Sequence, residues 1–333
     1  MTLDTVVNKI YGVFKSHAGD RRLILLHPGS RYRTALVSRM LVDDSLPVFY
    51  YAMGSDDIDI PSFVAGFTHD MAEQVPTFGS AINLARLQSP QDLTTLLEGF
   101  AQDIDQLHEE PFILLLDEFD RATIGDDLEM LLEGLVDYLP ERCRLVISSR
   151  KLPRFPWMSL IAQQKAVMLR DDGEVSENFY DNQAGEEATI QGLAFGPGTV
   201  ILQGEPIDNW EGHLPRLLFF FALERPVVTR SEICRAFWPE LTTDQAVNVF
   251  HVTKRRLHKA INIAEVDILM HEDGSYRVNP TLSIRYDVTD FVAALVQARL
   301  ATASKKAATW QRVIDLYQHP FLQGHNEPWI AHR

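Results

Sequence analysis

Four short apolar runs, separated by amphipathic stretches, constrain the fold of this chain more than any other feature. Residues Leu23–Leu26, Val48–Ala52, 112–116 and 145–147 are aliphatic, β-branched or aromatic, with no regular alternation with polar side chains. A strand that is apolar at every position must be buried on both faces. Buried strands separated by helices build a parallel sheet covered on each side. The stretches between them, 34–42, 63–73, 93–107 and 127–139, place apolar residues three and four apart, as helices on such a sheet require.

At 333 residues the chain is long enough for two or three domains. Acidic residues outnumber basic ones 46 to 31, a formal charge of −15, which argues against coating nucleic acid or an anionic membrane along the whole length. A local basic patch is still compatible with that total. Cys143 and Cys234 stand far apart and in no metal-ligand spacing, so a reduced, cytoplasmic protein is expected. The opening MTLDTVVNKI lacks a basic segment followed by an apolar run, and no stretch reaches the ~20 apolar residues of a membrane helix, so neither a leader nor membrane association is expected.

Composition shifts divide the chain. Residues 1–170 carry the strand and helix alternation. Residues 171–188 are acidic and poor in aliphatics, and read either as a linker or as a solvated surface loop. Residues 189–280 hold two strand-like pieces near 190–195 and 199–203, helical stretches at 214–223, 230–238 and 243–261, and short apolar runs flanking Asp273-Gly274, a hairpin signal. Residues 281–333 read as two further helices, at 288–303 and 307–317.

Three features of the first region belong together. A turn, His27-Pro28-Gly29-Ser30-Arg31-Tyr32-Arg33-Thr34, follows the first strand. The strand 112–116 ends in Asp117-Glu118, and the strand 145–147 ends in Ser148-Ser149-Arg150. In a P-loop ATPase such a turn holds phosphates on backbone N–H groups at a helix N-terminus. These features resemble the signal-transduction ATPases with numerous domains, particularly the maltose-activator branch. The resemblance implies ATP or ADP with Mg²⁺ as cofactor. It implies Gly29, Ser30, Arg31, Arg33 and Thr34 around the phosphates and Arg150 sensing the terminal one. It also implies Thr34 and Asp117 toward the metal, with Asp117 and Glu118 as the catalytic pair of an active enzyme. The match is degenerate: the pattern G-x-x-x-x-G-K-[ST] has His27 and Tyr32 at its glycines and Arg33 at its lysine, with only Thr34 retained. A tyrosine Cβ and ring obstruct the close backbone approach that glycine permits, and a planar guanidinium does not replace a compact ammonium. Nucleotide binding is therefore expected to be weak or absent, and hydrolysis inefficient. Solvated acids at a strand end, and an ion pair of Arg150 with one of them, are the plainer readings of the same residues.

In the stretch 243–261, Ala246, Val249, Phe250, Thr253, Leu257 and Ile261 fall on one helical face. The opposite face carries Asn248, His251, Val252, Arg255 and Lys259, with Lys254, Arg256 and His258 on its flanks. Between residues 215 and 262 eight basic residues stand against four acidic ones, a positive patch on an acidic chain. Amides and cations on one helix face suit phosphate oxygens and base edges, and a preceding helix, a short turn and a following hairpin are the parts of a groove-reading module.

The segments 210–218, 229–233 with Phe237-Trp238-Pro239, and 248–257 resemble the OmpR-type winged helix of response regulators and of activators carrying a bacterial transcriptional activator domain. The stretches 287–291 and 316–322, with Trp329, resemble the opening helices of that second domain. The expected fold is thus α/β: a P-loop NTPase-like parallel-sheet domain, a winged helix-turn-helix domain and a short α-helical segment. The implied function is a DNA-binding transcriptional regulator with a hydrolysis-deficient ATPase-like domain. Asn248, His251, Lys254, Arg255, Arg256, His258, Lys259 and Arg277 would contact duplex DNA, and RNA polymerase and a second copy of the chain are the further partners such a regulator implies. Two alternatives stay open: an active ATP-dependent switch, and a winged helix that binds protein instead of DNA.

Overall fold

The structure is a computed structural model, and it describes residues 3–17, 21–82, 90–171, 175–176, 188–263, 266–272 and 274–331. The chain forms two compact units, residues 1–155 with 163–176, and residues 156–162 with 177–333.

The first unit is a mixed α/β layer structure. Five parallel strands, β1 (Leu23–Leu26), β2 (Val48–Ala52), β3 (Phe112–Asp117), β4 (Cys143–Ser148) and β5 (Ala166–Leu169), lie in the order β2-β3-β4-β1-β5, and the short β6 (Val175–Ser176) runs antiparallel on the edge of β5. On one face, Ile24, Leu26, Ile113, Leu115, Val146, Val167 and Leu169 pack against α1 (Leu3–His17) and α2 (Arg33–Leu41). On the other face Tyr51 of β2 meets Phe63 and Phe67 of α3 (Ile60–Gln74), which also pack on Phe100 of α4 (Pro90–Asp105), itself beside α5 (Asp126–Tyr138). All four residues of β1 are buried, so a continuous apolar run is what this central strand requires.

Local signals set the helix starts. Asp59 accepts the Ser62 amide at 2.9 Å and Pro61 occupies the first turn, so α3 begins three residues before its first expected apolar position. Helix α1 and strand β5 lie outside the elements expected from the sequence. Yet Val7, Ile10, Tyr11 and Phe14 of α1 are buried at helical spacing, a pattern present in the opening residues. The acidic stretch expected from residue 171 starts differently: Asp171 is hydrogen-bonded into the turn after β1, and residues 175–176 pair with β5. Residues 172–174 and 177–187 lie outside the described residues.

In the second unit, β7 (Ile190–Leu193), β8 (Thr199–Leu202) and β9 (Glu205–Pro206) form an antiparallel meander, to which β13 (Ile284–Tyr286) adds beside β7 in parallel. Helix α7 (Leu214–Glu224) is buried at nearly every position, as its LLFFFAL run demands, and packs against α9 (Thr243–Ala260). Helix α8 (Arg230–Phe237) opens on a capping box in which the Glu232 amide donates to Thr229 Oγ1 and the Thr229 amide to Glu232 Oε2. The hairpin β11 (Leu269–Glu272) and β12 (Ser275–Val278) is tied to the body through β10 (Val228–Thr229), which pairs with β12. Gly274 in its turn has φ +78°, a conformation glycine supplies without a Cβ clash.

The end of the chain belongs to this same unit. Helix α10 (Asp287–Leu300) packs on α6 (Trp157–Ala162), on α11 (Lys306–Leu316) and on β7, and Phe195, Phe291 and Tyr317 form an aromatic triangle with centroids 5.1–5.6 Å apart. Residues 189–280 and 281–333 are therefore one body here.

Phe250 of α9 is fully buried and meets the Tyr276 ring of the hairpin edge-on at 5.0 Å. Phe250→Ala is expected to cost about 3–5 kcal/mol, by lost burial plus the cavity left behind. All five tryptophans lie in the second unit, so a lowered urea midpoint in Trp fluorescence measures that loss directly; a change under ~1 kcal/mol would contradict the packing described.

Candidate functional site

At the carboxyl edge of the first sheet, Leu26 stands level with Ser148 and Leu116 with Ile147, so the ends of β1, β4 and β3 lie side by side. Open α/β sheets bind ligands at this edge. The register thus brings the turn 27–34, Asp117-Glu118 and Ser149-Arg150 to one edge, as the sequence motifs require.

The turn itself is filled from within. The Gly29 amide donates to His27 Nδ1 at 3.0 Å, the Ser30 amide to the His27 carbonyl at 2.9 Å, and the Tyr32 amide to Ser30 Oγ at 3.2 Å. The Arg31 amide donates to Asp171 Oδ2 at 2.8 Å, and Ser30 Oγ donates to Asp171 Oδ1. The His27 ring lies 3.2 Å from where a side chain on Gly29 would begin, so this glycine opens no space. Arg33 is turned back onto the carbonyls of Pro28, at 3.0 Å, and Ser149, at 3.3 Å. Thr34 is exposed in the first turn of α2. As arranged, the turn does not fit a nucleotide phosphate: the Gly29, Ser30, Arg31 and Tyr32 amides already have acceptors, and the Arg33 guanidinium expected beside the phosphate serves carbonyl groups.

The acids are also engaged locally. Asp117 accepts the Glu118 amide at 2.8 Å and the Tyr50 hydroxyl at 3.3 Å; burial, followed by the Asp117 charge, raises the Tyr50 pKa. Glu118 sits at φ 51°, a left-handed conformation uncommon outside glycine, and pairs with Arg121. Arg150 is exposed, and among the described residues its amide, not its guanidinium, meets a carboxylate, Asp120 at 2.7 Å. Among the described residues no group of three or more His, Cys, Asp or Glu is placed to hold a metal. Burial pushes the Cys143 thiol up to about 12, so it is no nucleophile near neutrality.

In the second unit the α9 faces divide as the spacing predicts. Ala246, Phe250, Thr253 and Leu257 are buried, while Asn248, His251, Val252, Arg255 and Lys259 are exposed. Helix α7 and the hairpin hold the buried face, and the Thr242 amide donates to Gln245 Oε1 at 3.2 Å at the helix start. The polar and charged side chains fall into two groups. Lys254 lies over the Tyr276 ring at 5.3 Å, Arg277 pairs with Glu272, and both Lys259 and Arg256 (3.3 Å) reach Glu211 in the segment before α7. Lys259 holds the Glu211 carboxyl below its ordinary range. Asn248 and Arg255, by contrast, show no side-chain bond among the described residues. No sequence signal marked Glu211 or Tyr276 as partners of these cations, because the contacts join separate elements.

His258 differs from its neighbours. The Leu269 amide donates to its Nε2 at 3.3 Å, so the ring proton lies on Nδ1, 2.9 Å from Asp267 Oδ1. It braces the base of the hairpin and is largely covered, rather than standing on the rim of the exposed face. Burial depresses its pKa and outweighs the attraction of Asp267, with Lys254 adding to the depression. The folded state therefore binds fewer protons than the unfolded state, and stability falls as pH drops below 6.5 toward the folded value. Melting of the second unit, followed by Trp fluorescence from pH 7.5 to 5, is expected to show that decline, at most ~1.4 kcal/mol per pH unit from one histidine. His258→Gln should flatten it; an unchanged slope would show the histidine is not its source.

No protein-family model matches the chain. No curated protein sequence matches it either. Among solved structures it is similar to Mycobacterium tuberculosis EmbR in complex with a low-affinity phosphopeptide, at 19% identity, over 44% of this chain and 40% of that one, with a TM-score of 0.36. The chain thus matches less than half the length of that protein. Among the described residues no helix is long and apolar enough to cross a membrane.

Proposed function

We propose that the chain is a DNA-binding transcriptional regulator in which the second unit is a winged helix and α9 is its recognition helix. The observation that carries this reading is the exposed stripe Asn248, His251, Arg255 and Lys259 on a helix whose other face is buried. An 18-residue helix is about 27 Å long and 10–12 Å across, and the B-DNA major groove is ~12 Å wide. Asn248 and Arg255 present an amide and a guanidinium fork, the groups that read adenine and guanine edges. On this reading the cations Lys254, Arg256 and Arg277 supply phosphate contacts beside the base-reading groups. The hairpin bonded to β10 supplies the wing.

The first unit is, in the same proposal, a P-loop-type fold that regulates or assembles without hydrolysing nucleotide. Its strand order and the level ends of β1, β3 and β4 support the fold; the internally bonded turn and the paired Glu118 support the lack of turnover. Phosphate release from ATP is expected to stay at the level of Glu118→Gln, and a rate abolished by that change would favour a switch ATPase instead.

DNA binding is tested by fluorescence anisotropy on mixed genomic duplexes between 50 and 200 mM salt. Wild-type affinity should fall steeply with salt, and Arg255→Glu should weaken binding at least about tenfold and lower the salt slope by about one. Retention of full affinity by Arg255→Glu with Lys259→Glu on every duplex would remove α9 as the recognition helix. Glu211→Gln should act oppositely, strengthening binding severalfold at low salt, because Lys259 and Arg256 no longer have a competing carboxylate.

A further inference from the structure

We infer that the Asp171 carboxylate is the resident anion of the turn 27–32, an internal stand-in that keeps nucleotide phosphates out of the first unit. The inference rests on reading that turn as a phosphate loop and goes beyond it by naming what occupies it. A carboxylate and a phosphate are the same kind of ligand to such a turn: a negative charge spread over oxygens that accept from N–H and O–H donors. Asp171 uses both oxygens in this way, Oδ2 for the Arg31 amide at 2.8 Å and Oδ1 for the Ser30 hydroxyl. Ser30 Oγ in turn accepts the Tyr32 amide at 3.2 Å, so two successive amides reach one carboxylate, directly and through a hydroxyl.

The sequence departures make sense together with this contact. His27 offers its carbonyl to the Ser30 amide and its Nδ1 to the Gly29 amide, and no glycine could supply that ring acceptor. Arg33, at the lysine position of the pattern, is drawn to the Pro28 and Ser149 carbonyls instead of toward a polyphosphate. The residue supplying the anion lies 140 positions from Arg31, just past β5, the strand paired with β1. The parallel pairing Leu26↔Leu169 brings residue 171 beside the turn. A phosphate group and Asp171 compete for the same donors, so occupancy of the turn and the position of residue 171 are linked.

The full chain, Asp171→Ala and Asp171→Asn are compared by titration calorimetry with Mg·ATP and with pyrophosphate, and by hydrogen exchange at residues 30–32, with circular dichroism reporting the fold of each. The expected result is no measurable binding at 1 mM (about the weakest useful limit) by the wild type. Each variant should bind at least about tenfold more tightly, with faster exchange of the Arg31 amide. Equal binding by wild type and variants, or unchanged Arg31 exchange, would overturn Asp171 as the occupant. Faster exchange with no binding of either polyphosphate would overturn the exclusion and, with it, the reading of the turn as a phosphate loop. Asp171→Asn keeps the shape and one amide acceptor while removing the charge, so it answers the question if the alanine variant fails to fold.

Discussion

Aspartate carboxylates accepting backbone amide hydrogens hold the ends of the buried elements in place throughout this protein. Asp57 accepts from Gly54 after β2, Asp127 from Ile60 at the start of α3, Asp103 from Ala81, Asp120 from Arg150 after β4, and Asp171 from Arg31 after β1. In the second unit Asp287 accepts from both Ala194 and Phe195, joining the start of α10 to the end of β7. A chain leaving a buried strand or entering a helix exposes amides that the regular ladder does not use, and an unbonded buried amide is costly. Part of the acidic excess is therefore architecture. Where burial is deep, as at Asp103 and Asp287, desolvation raises the carboxyl pKa against the hydrogen bonds that favour the charged form.

This scaffold gives the two candidate surfaces opposite character. At the first sheet edge the amides of residues 29–32 and the Arg33 guanidinium find acceptors within the chain, so these motif groups serve the fold. On α9 the buried side is secured by Phe250, Leu257 and the Tyr276 ring, and the other side keeps polar groups in solvent. The same chemistry, cation against carboxylate, recurs there in looser form: Glu211 meets Arg256 and Lys259 on an exposed surface, where ion pairs contribute little to stability and exchange readily for other anions.

Much of the architecture was legible from the chain alone. β1 and β2 coincide with their apolar runs, and α2, α5, α8 and α9 begin and end within a residue or so of their periodic stretches. The shorter or atypical elements were not: β5 is four residues long, β6 and β10 only two, and β13 is recognisable as a strand through its pairing with β7. Helix α1 is legible in the chain as the apolar stripe Val7, Ile10, Tyr11 and Phe14. In the candidate sites, the exposed row on α9 followed from helical spacing, whereas the inward role of His258 did not, because its partners Asp267 and Leu269 lie on the segment entering the hairpin.

Helix and strand periods are properties of the backbone, so the residues alone determined which segments are buried strands, which face of α9 carries Phe250 and which carries Arg255. Which polar groups then meet was decided by the tertiary structure. The parallel pairing of β1 with β5 carries Asp171 to the Arg31 amide, and the packing of α7 on α9 brings Glu211 to Lys259. A hydrogen bond or an ion pair depends on separation in space, and spacing along the chain carries no measure of that once the partners belong to different elements.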